Sequence, residues 1–342
     1  MNLYFNNWFS SITPIIKDIK KRHGSWVHVI GSSHNENHAM SDAVDEFFVE
    51  DQSIPYVQWL MSFLKEHKVD IFFVKKWAEE IFEIKEQLEA MGIVVILEDE
   101  TAWNSVESKH ETYEKIKKET AIALPDYVRS ANANTVLSFL FSHDTCMKLD
   151  KGEGGASYKH ITDGIKDINE LSEGIYNRIS TEKAAKLITE ASPCDLEKFL
   201  FMEYLKSPEL SVDCYNSRKG FLSVCRSKQE SSRVQKMFYD KKINDICEEI
   251  CRVFRFRFPF NVQFRLKNNG NSNDIDDYRL LEINPRISGG SYYQLLAGLN
   301  ICDACLCDIM GGTAGMGYEP ESYKNLSTKL ITHVEQPILL GI

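Results

Sequence analysis

The chain has 342 residues, 43% of them hydrophobic and 26% charged, with a formal net charge of -10. That length exceeds one small core and implies two or three domains, and the acidic balance argues against a nucleic-acid partner, which demands a basic surface. No run approaches the roughly 18 apolar residues of a membrane span, so no membrane partner is expected. The segment from Met1 to Trp8 lacks the basic start and apolar block of an export signal, and nine scattered cysteines read as reduced thiols. The expected compartment is therefore the cytoplasm.

In chain order, residues 1–23 read as an amphipathic helical lead-in ending at Lys20-Lys-Arg22. Apolar runs at 26–30, 69–74 and 93–97 then alternate with helical patterns at 57–67 and 78–90, which predicts a parallel sheet with right-handed crossovers. The loop Gly31-Ser-Ser-His-Asn-Glu is not the Gly-x-Gly-x-x-Gly turn of a dinucleotide site. His34 and His38 would share a helical face and suggest a metal, but their segment carries no apolar stripe. A solvated loop at a strand end, within reach of substrate, is the reading adopted. Lys109 opens an amphipathic helix over 108–118, where a charged residue on a solvated face is the alternative to a ligand contact.

The stretch from Cys146 to Ser157 carries Lys148 on a strand and then Gly152, Gly154 and Gly155, where bare backbone can wrap phosphate oxygens. It is not a P-loop, because the lysine precedes the glycines; a hairpin turn without ligand is the alternative. Next, an apolar strand runs into Glu203-Tyr204-Leu205, and Glu209 follows Pro208 at the start of another. Two carboxylates so spaced also occur in solvated hairpins. Ile243, Ile246, Ile250 and Val253 give one apolar face to a helix over 241–254. The arginines and phenylalanines of 252–258 read as a helix end rather than a base-stacking surface. A strand over 260–266 holds Gln263 among apolar neighbours. Cys302, Cys305 and Cys307 lie in an apolar segment with no fourth ligand at matching spacing, and read as core.

The segment Arg279-Leu-Leu-Glu-Ile-Asn-Pro-Arg-Ile-Ser-Gly-Gly290 concentrates the chemistry. Strand alternation places Leu280, Glu282 and Asn284 on one face, with Leu281 and Ile283 behind. A carboxylate and an amide oxygen two residues apart suit a hard cation such as magnesium. Pro285 should end the strand, Arg286 offers a planar cationic fork, and Ser288 to Gly290 let backbone amides approach an anion.

Taken in order, these four stretches resemble the ATP-grasp superfamily, most closely its carbamoyl-phosphate-synthetase-like branch, where Gln replaces the commoner acidic ligand. The resemblance implies an α/β and α+β architecture: a Rossmann-like pre-ATP-grasp domain over 1–108, a large domain over 109–145 and 196–342, and a lid over 146–195. ATP would lie between lid and large domain. Lys109 and Lys148 would hold its phosphates under the Gly152, Gly154 and Gly155 flap, with Glu203, Tyr204 and Leu205 on adenine, Glu209 on ribose and Leu280 beneath the base. Gln263, Glu282 and Asn284 would bind Mg2+, with Mn2+ as a substitute, while Arg286 and Lys148 serve the chemistry. The implied activity is a carboxylate–amine ligase working through an acyl phosphate, on small-molecule carboxylate and amine substrates, in a chain compatible with a homodimer. The alternative is an ATP-binding module, or a member with another phosphoryl acceptor, carboxylase or kinase-like.

Overall fold

The computed structural model describes residues 1–152, 157–163, 177–228, 233–311 and 318–332. Five strands form the first sheet: β1 Asn2–Asn6, β2 His28–Ser33, β3 Glu46–Val49, β4 Ile71–Phe73 and β5 Val94–Ile96. All pair in parallel, in the order β3-β2-β1-β4-β5. The sequence expectation of a helix from the first residue is corrected here. Residues 2–6 are the central strand, with Leu3, Tyr4 and Phe5 fully buried, and the helix begins only at Ile12. A strand buried on both faces shows no alternation, and five apolar residues do not by themselves separate strand from helix.

The second sheet contains β6 Tyr127–Val128, β7 Thr145–Leu149, β8 Lys159–Ile161, β9 Arg178–Ile179 and β10 Phe199–Glu203, in the order β6-β10-β7-β8-β9. Val136 and Leu140 from the helix Ala133–Ser142 pack with Ile161, Ile188 and Phe201 into its own small core. Its strands and helices thus begin upstream of residue 146 and end beyond 195.

The third sheet is antiparallel: β11 Lys206–Ser217, β12 Gly220–Lys228, β13 Val234–Phe238, β14 Phe260–Leu266, β15 Tyr278–Asn284 and β16 Lys329–Thr332, in the order β15-β14-β11-β12-β13-β16. The helix Lys241–Phe254 buries Ile243, Ile250 and Phe254 against one face, with Val212, Val262 and Leu280 from the strands. On the opposite side, Tyr215, Leu222 and Val224 share a single apolar cluster with Ile12, Ile16 and Ile19 of the first helix, Leu3 and Phe5 of β1, and Cys302, Cys305 and Cys307. That continuous core joins the N-terminal sheet to the third sheet and accounts for the three cysteines as packing groups.

Glu98, just past β5, reinforces the same junction. It is fully buried, and its carboxylate accepts from the backbone N–H groups of Arg257 at 3.0 Å and Phe258 at 2.8 Å, just before β14. Burial nevertheless outweighs those bonds and pushes its pKa up to about 7. The native state therefore holds a proton that the unfolded chain releases near pH 4.5. The stabilisation this group gives is complete below that value and is lost as pH rises toward 7, by about 3 kcal/mol. Urea denaturation from pH 4.5 to 8 should show that decline in the native protein, and Glu98→Gln should flatten it; identical profiles would contradict the assignment.

Candidate functional site

Two cavities meet at the C-terminal end of β15. One, of about 420 Å³, is lined by Lys148 from β7, Met202 from β10, Glu209 and Lys228 from β11 and β12, and Gln263, Leu281, Glu282, Asn284 and Arg286 around β14 and β15. The other, of about 350 Å³, is lined by Lys75 to Glu80, Trp103, Lys109, Gly152 and again Glu282 and Asn284. The strand that ends at Asn284 is thus shared by both, and Pro285 follows directly after the last ladder residue.

Pairing fixes the oxygen donors. Gln263 lies directly opposite Glu282 in the β14–β15 ladder, and Asn284 lies opposite Asn261. Asn261 is buried and donates to Ser211 Oγ at 3.1 Å and Asp213 Oδ1 at 3.0 Å, so the floor beneath these donors is itself hydrogen-bonded. Between Gln263 and Phe264 the register slips: Phe264 faces Leu280, and Leu281 is the extra residue of a β-bulge. Leu280 consequently points into the core with Phe264 and Ile283, while Leu281 turns into the larger cavity. The strict alternation read from sequence fails at this residue, and Leu280 is not on the face of Glu282. The bulge also frees the Leu281 carbonyl, which accepts from Tyr113 Oη at 2.8 Å and from Lys148 Nζ at 3.4 Å.

Lys148 is buried, at 8% exposure. Desolvation pushes its pKa down to about 8; the Glu282 carboxylate opposes that fall, and the neighbouring Lys109 charge adds to it. Lys109 is the first residue of the helix Lys109–Glu119 and is buried too. Its ammonium donates to the carbonyls of Asp150 at 3.2 Å and Gly152 at 3.0 Å. The Asp150 carboxylate in turn accepts from Ser108 Oγ at 2.7 Å and from the His110 N–H at 2.8 Å, fastening the helix start to the glycine loop. Two buried ammonium groups, Lys148 in the lining of the larger cavity and Lys109 in that of the smaller, create a field that an anion would relieve.

The remaining expected contacts divide. Glu209 lines the larger cavity and pairs with Lys228 at 2.5 Å, a partner the sequence did not suggest. Leu205 is buried in a small apolar cluster with Cys146 and Met202, against which Tyr204 and Leu281 pack. Tyr204 also stacks on His160, with ring centroids 3.8 Å apart. Glu203 is half-buried at the end of β10 and outside the lining of either cavity; burial, with Asp126 beside it, raises its pKa. The N–H groups of Glu203 and Tyr204 are already bonded to the carbonyls of Asp126 and Asp144. Gly154 and Gly155 lie outside the described residues; Gly152 lines the smaller cavity at φ +124°.

Beyond Pro285, Arg286 stacks over the Phe9 ring at 5.6 Å, and Lys75 lies 4.6 Å from the same ring. Phe9 belongs to the loop after β1, so the N-terminal sheet reaches into the site, which the helical reading of residues 1–23 had concealed. Gly290 has a packing role: a Cβ there would lie 2.0 Å from Arg226 Nη2. Arg226 is buried beneath this loop, donating to Gln235 at 2.8 Å and to Ser211 at 3.3 Å. His34 and His38 do not share a helix. His34 contacts Asn7 Oδ1 at 2.7 Å, and His38 caps a short 3-10 turn.

The family model described as "ATP-grasp in the biosynthetic pathway with Ter operon" matches residues 195–334. No curated protein matches the sequence. Among solved structures, the N5-carboxyaminoimidazole synthetase of Staphylococcus aureus with ADP superposes at TM-score 0.66 and 12% identity, over 97% of this chain and 82% of that one. The biotin carboxylase domain of the Hydrogenobacter thermophilus 2-oxoglutarate carboxylase, in complex with MgADP, ADP and bicarbonate, gives 0.65 at 13% identity, over 94% and 72%. An L-amino acid ligase from Bacillus licheniformis gives 0.60 at 13%, over 92% and 76%. The chain has the ATP-grasp fold, with an α/β N-terminal sheet preceding it. At such low identities these likenesses establish the fold alone.

Proposed function

We propose that the protein is an ATP-dependent ligase that activates a carboxylate as an acyl phosphate and joins it to an amine. The observation that carries this reading is the convergence of Gln263, Glu282 and Asn284 on a cavity that the buried Lys148 also lines. The donor set is oxygen only, with one formal negative charge, and fits a hard divalent cation such as Mg2+; Mn2+ prefers similar donors. When bound, the cation would neutralise phosphate charge during transfer.

The chain's own groups would act by position and charge. Lys148 and Lys109 hold the phosphates, and the nucleotide base rests on the apolar patch of Leu281 and Met202. Glu209 accepts from ribose hydroxyls after exchanging its bond to Lys228. The substrate carboxylate oxygen attacks the γ-phosphorus, the bond to the β–γ bridging oxygen breaks, and ADP leaves. The amine nitrogen then attacks the acyl carbon, phosphate departs, and the amine loses a proton to solvent. Arg286 orients the carboxylate and stabilises the developing charge. Enclosure by the second sheet would keep water from the acyl phosphate.

An ADP-release screen with paired carboxylates and amines tests the proposal: turnover should require both substrates and magnesium. Magnesium-dependent nucleotide binding with no turnover for any pair would favour a binding module instead.

A further inference from the structure

Open parallel sheets hold ligands at the carboxyl ends of their strands, where the strand order reverses. Here the chain lays β2 and β3 on one side of β1 and then β4 and β5 on the other, so the reversal falls between β1 and β4. Asn6 spans that crevice, accepting from the Lys75 N–H at 2.8 Å and donating to the Lys76 carbonyl at 2.9 Å. The segment it holds, Lys75 to Trp77, lines the cavity of about 350 Å³ that ends on Glu282 and Asn284.

Trp77 is the unusual residue of this wall. Its backbone is left-handed, at φ +66°, and its side chain is 41% exposed. A bulky residue in that conformation is strained and persists only where its surroundings hold it, which directs attention to function. The surroundings are a row of rings. Trp77 stacks on Tyr56 with centroids 5.2 Å apart, Tyr56 on Trp59 at 6.0 Å, and Trp59 on Phe63 at 5.0 Å. The row starts in the core and ends at the cavity, where Trp103 also contributes to the lining. Glu79, Glu80 and Glu107 line the same cavity together with Lys75, Lys76 and Lys109.

Resting on the ligase reading above, we infer that this cavity is the subsite for the carboxylate substrate, and that the substrate carries a flat aromatic or heteroaromatic body laid against Trp77. Its carboxylate points to the end of β15, where phosphoryl transfer takes place, and its ring occupies the space beside the indoles.

Calorimetry on the full chain saturated with MgADP tests this with two matched probe pairs: 3-phenylpropanoate against hexanoate, and L-phenylalanine against L-leucine. At least one pair should show the ring-bearing probe binding about tenfold more tightly, as ring contact and burial together would give. Trp77→Gly, which takes a left-handed backbone without strain, should erase that preference and keep MgADP binding, and Trp77→Phe should restore it. Equal binding within both pairs, no binding of any probe, or a preference that survives Trp77→Gly would each overturn the inference while leaving the ligase reading standing. Loss of MgADP binding by the native protein would instead remove that reading.

Discussion

Glu282→Gln is expected to abolish ATP-dependent turnover while the protein remains folded. Glu282 lines both cavities and is the only formally charged member of the oxygen set with Gln263 and Asn284. Glutamine keeps its volume and one amide oxygen but removes the negative charge that faces the cation. Loss of one preorganised electrostatic group costs about a hundred- to a thousandfold in rate, and a charge paired with a divalent ion belongs at or above the top of that range. Stability should change little, because the lost attraction to Lys148 comes from a side chain that is itself partly solvated. ADP release and thermal unfolding, measured side by side, check both halves. Retained turnover would rule out Glu282 as a metal ligand.

The second large effect separates two adjacent leucines. Leu280 is fully buried among Phe264, Val262 and Ile283, so Leu280→Ala should cost about 2–5 kcal/mol of folding stability through lost burial and a residual cavity. Leu281 lines the larger cavity, so Leu281→Ala should leave stability nearly unchanged and, on the proposed reading, weaken ADP binding several-fold. The reverse outcome would mean that the bulge between Gln263 and Phe264 is absent and that plain alternation holds through β15. Denaturant midpoints and ADP titrations of the two variants decide between these cases.

Those leucines also mark how far the sequence could be read. The apolar faces of Lys241–Phe254 and the runs of Phe260–Leu266 and Tyr278–Asn284 were legible to within a residue, because long periodic segments and a clear polar turn leave little choice. The register that sets Gln263 opposite Glu282 followed from them. A one-residue bulge carries no glycine or proline signal here, so the facing of Leu280 was not legible. The central strand Asn2–Asn6 was lost for a different reason: it is short and apolar on both faces, and an amphipathic helix follows it closely. With it went Phe9 and the crevice beside Lys75. The extent of the second sheet was hidden because β6 is only two residues long and pairs with β10, more than seventy positions away. Contacts such as Lys228 with Glu209 and Arg226 beneath Gly290 depend on tertiary placement alone, and no local pattern announces them.

The central claim is that oxygen donors on two neighbouring strands grip a divalent cation together with a nucleotide. Titration of ADP into the native protein, with and without magnesium, tests it most directly. One saturable site is predicted, tightened by magnesium in the native protein and indifferent to magnesium in Glu282→Gln. Binding that ignores magnesium in both proteins, or no binding at all, would contradict the account.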